Sequence, residues 1–273
     1  MRSVSQEFWD KDVNRLTQGK ELRLSLQHLY HNLSRQEVDD KSHDPLFEWV
    51  SAEALQRGDT IPAFRKLLNH TYNPEKNKAE GNMSWIEHEE KQFLATILKT
   101  EVMKALRNYL NCTRKISSTT EFQALMNKLW FERYSRSENG AVNDTSGFEH
   151  VMVGEFKNSK KVNGFHNWLS FYFHELNPAR TSFNYYGYTA KKDMDGHPFV
   201  LDVMFEWQQR IKNPPSSFFV ATSPEFDIAV YSLCAVTHSG RDCPLQINNV
   251  QLVVETHQKE GHIATAYVVA ESR

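Results

Sequence analysis

The segments SGFEHVMVGE and NGFHNW place His150 and His166 sixteen residues apart, each just after a glycine–aromatic step in a turn-rich setting. An imidazole titrates near neutral pH, so two of them can hold one neutral and one charged ring. That is the condition for taking a proton from one atom while delivering another elsewhere. Farther along come IKNPPSSFF, SPEF and IATAY, which add a lysine, hydroxyls and a tyrosine. Taken singly these residues decide nothing: His150 reads equally well as a half-buried strand histidine, and Lys212 as a surface lysine. Of the other histidines, His28 and His31 fall at helical i, i+3 spacing in HLYH, and His88 lies among Glu87, Glu89 and Glu90. Both groups read as solvated helix faces, since neither has the spacing of a zinc site. Phosphate-binding loops, nucleophile elbows and dinucleotide fingerprints are missing from the sequence, which weakens the common hydrolase and nucleotide-binding classes.

The elements that must position these residues differ between the two halves of the chain. From Leu94 the apolar positions Ile97, Leu98, Val102, Ala105, Leu106 and Tyr109 keep the three-four spacing of one helical face. A second helix opens at Ser118, with Glu121 as a capping-box signal. The polar stretch SRSENGAVNDTS, from Ser135 to Ser146, marks a subdomain boundary. Beyond it, Phe148–Phe156 alternates as a strand would, with Glu149 and His150 on opposite faces. In FHNWLSFYFHEL the periodicity starts strand-like and then fits a helix that stops before Pro178. A helix is predicted from Ser223, where a serine cap, Pro224 and Glu225 combine three start signals. The tail VQLVVETHQKEGHIATAYVV reads as two strands joined by a turn at Gln258–Gly261.

Composition bounds the partners. The 273 residues are 40% hydrophobic and 24% charged, ample for a core. A net charge of −2 is not that of a general nucleic-acid coat, so an RNA-handling reading requires a local grip on a few phosphates. No run is apolar and long enough to span a membrane. The three cysteines, Cys112, Cys234 and Cys243, read as free thiols, yet Cys234 and Cys243 are close enough in sequence to bridge in an exported protein. Five N-x-[ST] sequons, at Asn32, Asn69, Asn82, Asn111 and Asn143, pull toward export. The chain is expected in cytoplasm or nucleus if Met1 is the native start, and outside the cell if a leader has been removed.

The motifs quoted above, together with FWDKDVNRL near the start and KLWFERYSR before the polar stretch, resemble the XendoU-like endoribonuclease family. That family is also called the EndoU or poly(U)-specific endoribonuclease family, and it includes the placental protein 11 type. The resemblance runs over almost the whole chain and is densest from Ser146 onward. It implies a catalytic set of His150, His166 and Lys212, with Lys191 and Lys192 as competitors for the lysine. Glu149 and Glu155 match supporting acidic positions, and Ser217, Thr265 and Tyr267 match positions that contact uracil and substrate.

The implied reaction is cleavage of single-stranded RNA at uridines by 2′-hydroxyl attack, giving a 2′,3′-cyclic phosphate and a 5′-hydroxyl. His166 is assigned as base and His150 as acid, labels that can be exchanged. Lys212 would stabilise charge gathering on the phosphorane. The resemblance also implies stimulation by Mn²⁺, or by Ca²⁺, with no ligand set legible from spacing. The partner expected is uridine-containing single-stranded RNA, and the protein is expected to be a monomer with no membrane association. The rival reading is a uridine-tract RNA-binding protein that keeps the cleft without turnover; a secreted interaction protein is a weaker third. The fold expected is α+β, a mainly helical portion (1–140) packed on a catalytic half of antiparallel β-sheets (141–273), together one domain with the active site in a cleft.

Overall fold

The computed structural model describes residues 2–30, 40–68, 72–75, 83–136 and 144–270. The N-terminal portion carries α1 (Arg2–Lys11), a small antiparallel pair β1 (Leu22–Leu24) and β2 (Phe47–Val50), then α2 (Thr60–Leu68), α3 (Met83–Ile97), α4 (Glu101–Cys112) and α5 (Thr119–Trp130). A π-helical turn, Glu149–Val153, opens the second half. After it come β3 (Glu155–Asn158), β4 (Lys161–Asn163), α6 (Trp168–Glu175), α7 (Pro178–Thr181), β5 (Phe183–Met194), β6 (His197–Trp207), β7 (Arg210–Ile211) and β8 (Ser216–Phe219). The chain finishes with α8 (Pro224–His238), β9 (Cys243–Ile247), β10 (Val250–Lys259) and β11 (His262–Val269). One sheet runs β3-β4-β7-β6-β5, with β8 also on β6, and a second runs β11-β10-β9. The pairings are antiparallel apart from β4 on β7. The architecture is the expected α+β.

Local signals explain most boundaries. Ser223 caps α8 by accepting from Phe226 N at 3.2 Å, with Pro224 in the first turn. Ser118 caps α5 in the same way through Glu121 N, while the Glu121 carboxylate reaches back to Ser117 N. The apolar stripe from Leu94 to Tyr109 belongs to two helices, not one. Thr100 leaves helical geometry and accepts from Met103 N, so α4 starts afresh while the stripe continues across the break. HLYH is not helical either: His28 O accepts from Tyr188 N at 3.0 Å, tying that segment to β5, and His31 lies outside the described residues. Asn111 ends α4 in an exposed position, and the other four sequon asparagines lie outside the described residues.

The core is organised around α8, which is buried on every side from Pro224 to Ala235. A helix apolar or enclosed all round belongs at the centre of a domain. Both halves of the chain hold it there. Trp130 Nε1 of α5 donates to Ser232 Oγ at 2.8 Å, and α1 packs on α4, α8 and β9. Cys234 near the end of α8 is disulfide-bonded to Cys243 at the start of β9. Hairpin turns set the strand registers: Asp195–Gly196 joins β5 to β6 and Glu260–Gly261 joins β10 to β11, all four residues at positive φ.

The opening of α8 is also where the N-terminal segment is locked in. Buried Asp12 accepts from Ser223 N through Oδ2, and Asn14 donates to Glu225 Oε1 at 2.6 Å. Burial, and then the charge of Glu225, push the Asp12 carboxyl up from 3.8 to about 7. A raised carboxyl favours the folded state while it holds its proton, so this contribution fades as pH rises from about 3.8 to about 7. Asp12→Asn keeps an acceptor for Ser223 N without the charge. It is expected to exceed the parent in stability above about pH 7 by on the order of 1–3 kcal/mol, with the gain vanishing toward about pH 4. Denaturant unfolding at both pH values measures this, and a parent more stable than the variant at alkaline pH would contradict it.

Candidate active site

The site starts from a backbone contact. The residues expected to form a strand through Phe148–Phe156 instead turn helically from Gly147, and only Glu155 onward is extended. The alternation of the sequence was misleading because both faces are enclosed: Phe148, Glu149, His150, Val151, Met152 and Val153 are all buried. The turn closes with Gly154 N donating to Glu149 O at 2.7 Å, the wide i→i+5 bond of a π-helix. Against this turn lies the second histidine motif. Phe165 N donates to His150 O at 2.9 Å and His166 N to Val151 O at 2.6 Å. Gly164 permits the approach, since a Cβ there would sit 1.8 Å from His150 O, and its φ of +63° suits glycine.

A cleft of about 360 Å³ opens over this junction, lined among others by His150, His166, Lys212, Ser217, Thr265 and Tyr267. Two elements are fixed across it by Ser217, whose hydroxyl donates to Val268 O and so ties β8 to β11. His166 is held in one tautomer, because its Nδ1 lies 3.0 Å from Ser217 O, a pure acceptor, which leaves Nε2 with a free lone pair. Tyr267 stacks on the same ring at 5.1 Å. Burial, then the charges of Lys212 and His150, hold His166 well below the usual imidazole range. It is therefore neutral at neutral pH.

Lys212 is 4% exposed, and burial lowers its ammonium to about 8. Lys212 N donates to Phe205 O at 2.8 Å, anchoring the segment ahead of Pro214 and Pro215. The competing lysines are elsewhere on β5: Lys191 pairs with Asp193 at 2.6 Å and Lys192 donates to Gln251 O. Thr265 and Tyr267 alternate with buried Ala266 on β11, so both side chains face the cleft.

His150 is more crowded. Its Nδ1 lies 3.1 Å from Glu155 Oε2 and 2.7 Å from Arg136 Nη1. Thr145 Oγ1 donates to the other Glu155 oxygen. Burial and then Arg136 lower His150 to about 4, against the pull of Glu155. Burial opposes ionisation of Glu155, but His150, Arg136 and Thr145 outweigh it and keep the carboxylate ionised. Glu149 is fully buried, takes Ser146 Oγ on its own N–H, and places its charge near Arg133, Tyr72 and Tyr134. Arg136, Thr145, Asn163 and Asp202 were not singled out from the sequence, yet the first two grip the His150–Glu155 pair and the last two line the cleft. KLWFERYSR contains Arg136, but its polar surroundings read as loop.

Among the described residues no three histidine, cysteine or acidic side chains converge as a metal-ligand set, and both Glu155 oxygens are engaged. The cleft residues therefore do not fit a resident divalent ion. Nor, among the described residues, is any helix long and apolar enough to cross a membrane.

Comparison with known proteins agrees with this geometry. The Uridylate-specific endoribonuclease of Mus musculus is 34% identical across the whole chain, which spans 66% of that relative's length. Poly(U)-specific endoribonuclease-B of Xenopus laevis is 35% identical over 96% of the chain and 90% of its own length. The solved structure of XendoU, described as a splicing independent snoRNA processing endoribonuclease, matches with a TM-score of 0.81 at 32% identity. That match covers 99% of this chain and 97% of the other. The family model for Endoribonuclease XendoU matches residues 1–268, spanning the cleft and both histidines, and the chain belongs to that family.

Proposed function

We propose that the protein is an endoribonuclease that cuts single-stranded RNA at uridines. The observation that carries this is the convergence, in one enclosed cleft, of a neutral imidazole with a free Nε2, a second imidazole backed by a carboxylate, and a buried ammonium. In the proposed reaction His166 Nε2 takes the 2′-hydroxyl proton and O2′ attacks the adjacent phosphorus. The bond to the 5′-oxygen breaks and His150 supplies that oxygen with its proton, leaving a 2′,3′-cyclic phosphate and a 5′-hydroxyl. Lys212 meets the charge that grows on the phosphorane oxygens, in a site where burial strengthens the interaction. Glu155 steadies the charged form of His150, and Glu149 supports the turn that carries it.

Uridine preference follows from hydroxyl chemistry. Ser217 spends its proton on Val268 O and so offers only lone pairs, which suit the N3–H of uracil and repel the unprotonated N3 of cytosine. Thr265 is placed to meet a carbonyl edge, and Tyr267 to stack on base or sugar. All of these groups come from one chain, which supports a monomeric enzyme. Dependence on Mn²⁺ or Ca²⁺ is proposed from the family resemblance alone, and no step is assigned to an ion. Loss of activity in EDTA, restored by Mn²⁺, is the expected outcome; full activity in EDTA would remove the ion from the account.

His166→Ala is expected to abolish cleavage while leaving RNA affinity within a few-fold; surviving cleavage would refute the base assignment. Lys212→Ala should cost on the order of a hundredfold in rate. Because Lys212 loses its charge as pH rises through about 8, the parent's rate should fall on that alkaline side. Lys212→Arg keeps its charge at all accessible pH, so a slower enzyme without the alkaline fall is expected; an unchanged fall would assign it to another group. Thr265→Ala should narrow the preference for uridine over cytidine, and unchanged selectivity would remove Thr265 from base recognition.

A further inference from the structure

The contacts at His150 Nδ1 are chemically exclusive. Arginine is always a donor, so the 2.7 Å contact from Arg136 Nη1 requires a bare lone pair on Nδ1. The 3.1 Å contact to Glu155 Oε2 becomes a hydrogen bond only when Nδ1 carries a proton. With Arg136 in place the ring is therefore neutral, and its one proton sits on Nε2. That form can neither accept a proton at Nε2 nor surrender one readily. His150 is silent as acid and as base while Arg136 holds it.

We propose that Arg136 is a substrate-sensing latch: the phosphate of bound RNA draws its guanidinium off His150 Nδ1, which then takes a proton, bonds to Glu155 and becomes the competent acid. Arg136 is thus a positioning residue acting through His150, and the proposal rests on His150 being the acid. The surroundings fit a short swing. Arg136 Nε is anchored on Tyr134 Oη at 3.0 Å, and Tyr134 Oη in turn donates to Ile263 O. Rotation about that anchor frees Nη1 without moving the backbone. Arg136 Nη1 already lies 3.7 Å from Glu155, whose carboxylate gains an Nδ1–H partner as it leaves. A phosphate offers a guanidinium paired, charge-assisted bonds that one imidazole lone pair does not match. The remaining charged groups around the ring are Lys212 and His166, and both also attract the phosphate. The arrangement keeps the acid unarmed until a phosphate occupies the cleft.

The test is ¹⁵N NMR of histidine-labelled protein, which distinguishes the two imidazole tautomers and the imidazolium. Free enzyme is expected to show His150 with Nδ1 unprotonated. An uncleavable 2′-deoxyuridine tetranucleotide should protonate Nδ1, whereas uridine nucleoside, which lacks phosphate, should leave it bare. Arg136→Ala should show protonated Nδ1 with no ligand present. A free enzyme already protonated at Nδ1, or one unchanged by the tetranucleotide, overturns the latch, and this wild-type titration does not depend on the variant folding. His150→Ala separates the two claims: if it cleaves normally the acid assignment fails, whereas a dead variant beside an unchanged spectrum defeats the latch alone.

Discussion

The site depends on one close approach, in which the backbone at Gly164 meets the carbonyl of His150. Two hydrogen bonds, from Phe165 N and His166 N to the carbonyls of His150 and Val151, fasten the second histidine motif to the turn that bears the first. With any side chain at position 164 the contact is lost. The relative position of two proton-transfer groups is thereby set by main-chain geometry, not by side-chain packing that could relax. Gly164 and Phe165 both take left-handed backbone angles, a local cost that the enclosed turn and the Ser216 hydroxyl on Phe165 O help to hold in place.

Burial then does the electrostatic tuning. His150, His166 and Lys212 are each nearly inaccessible, and burial is the leading cause that lowers all three. For the imidazoles this yields neutral rings at neutral pH; for the lysine it leaves a charge that is present but poorly hydrated, ready to meet phosphate. Such groups oppose folding when they titrate, and the fold accommodates them because α8 and the aromatic cluster around Phe165, Phe171, Phe183 and Phe205 supply the burial elsewhere. His150 alone is given two opposed partners, Glu155 and Arg136, which makes it the responsive member of the set.

The sequence was legible where local chemistry decides structure. Ser223–Pro224–Glu225 announced α8, and the alternation before and after Gly261 announced β10 and β11. The general α+β layout, the partner residues in the cleft and the choice of Lys212 over its exposed neighbours on β5 followed from motifs, not from periodicity. The π-helical turn was illegible because alternation signals a strand only when one face meets water, and here neither does. Arg136 was hidden by its polar, turn-forming neighbours, whose composition describes a loop without saying which ring it touches. Asp195–Gly196 is a hairpin signal that went unread beside the run of lysines and acids around it.

The most direct measurement of the central claim compares an RNA oligonucleotide bearing a single uridine with the same oligonucleotide carrying 2′-deoxyuridine at that position. Attack by the 2′-hydroxyl predicts cleavage of the ribose form alone, leaving a 2′,3′-cyclic phosphate on one product and a 5′-hydroxyl on the other. Cleavage of both forms would show that the nucleophile is not the 2′-oxygen. Binding of both with cleavage of neither would leave a uridine-binding cleft without the proposed chemistry.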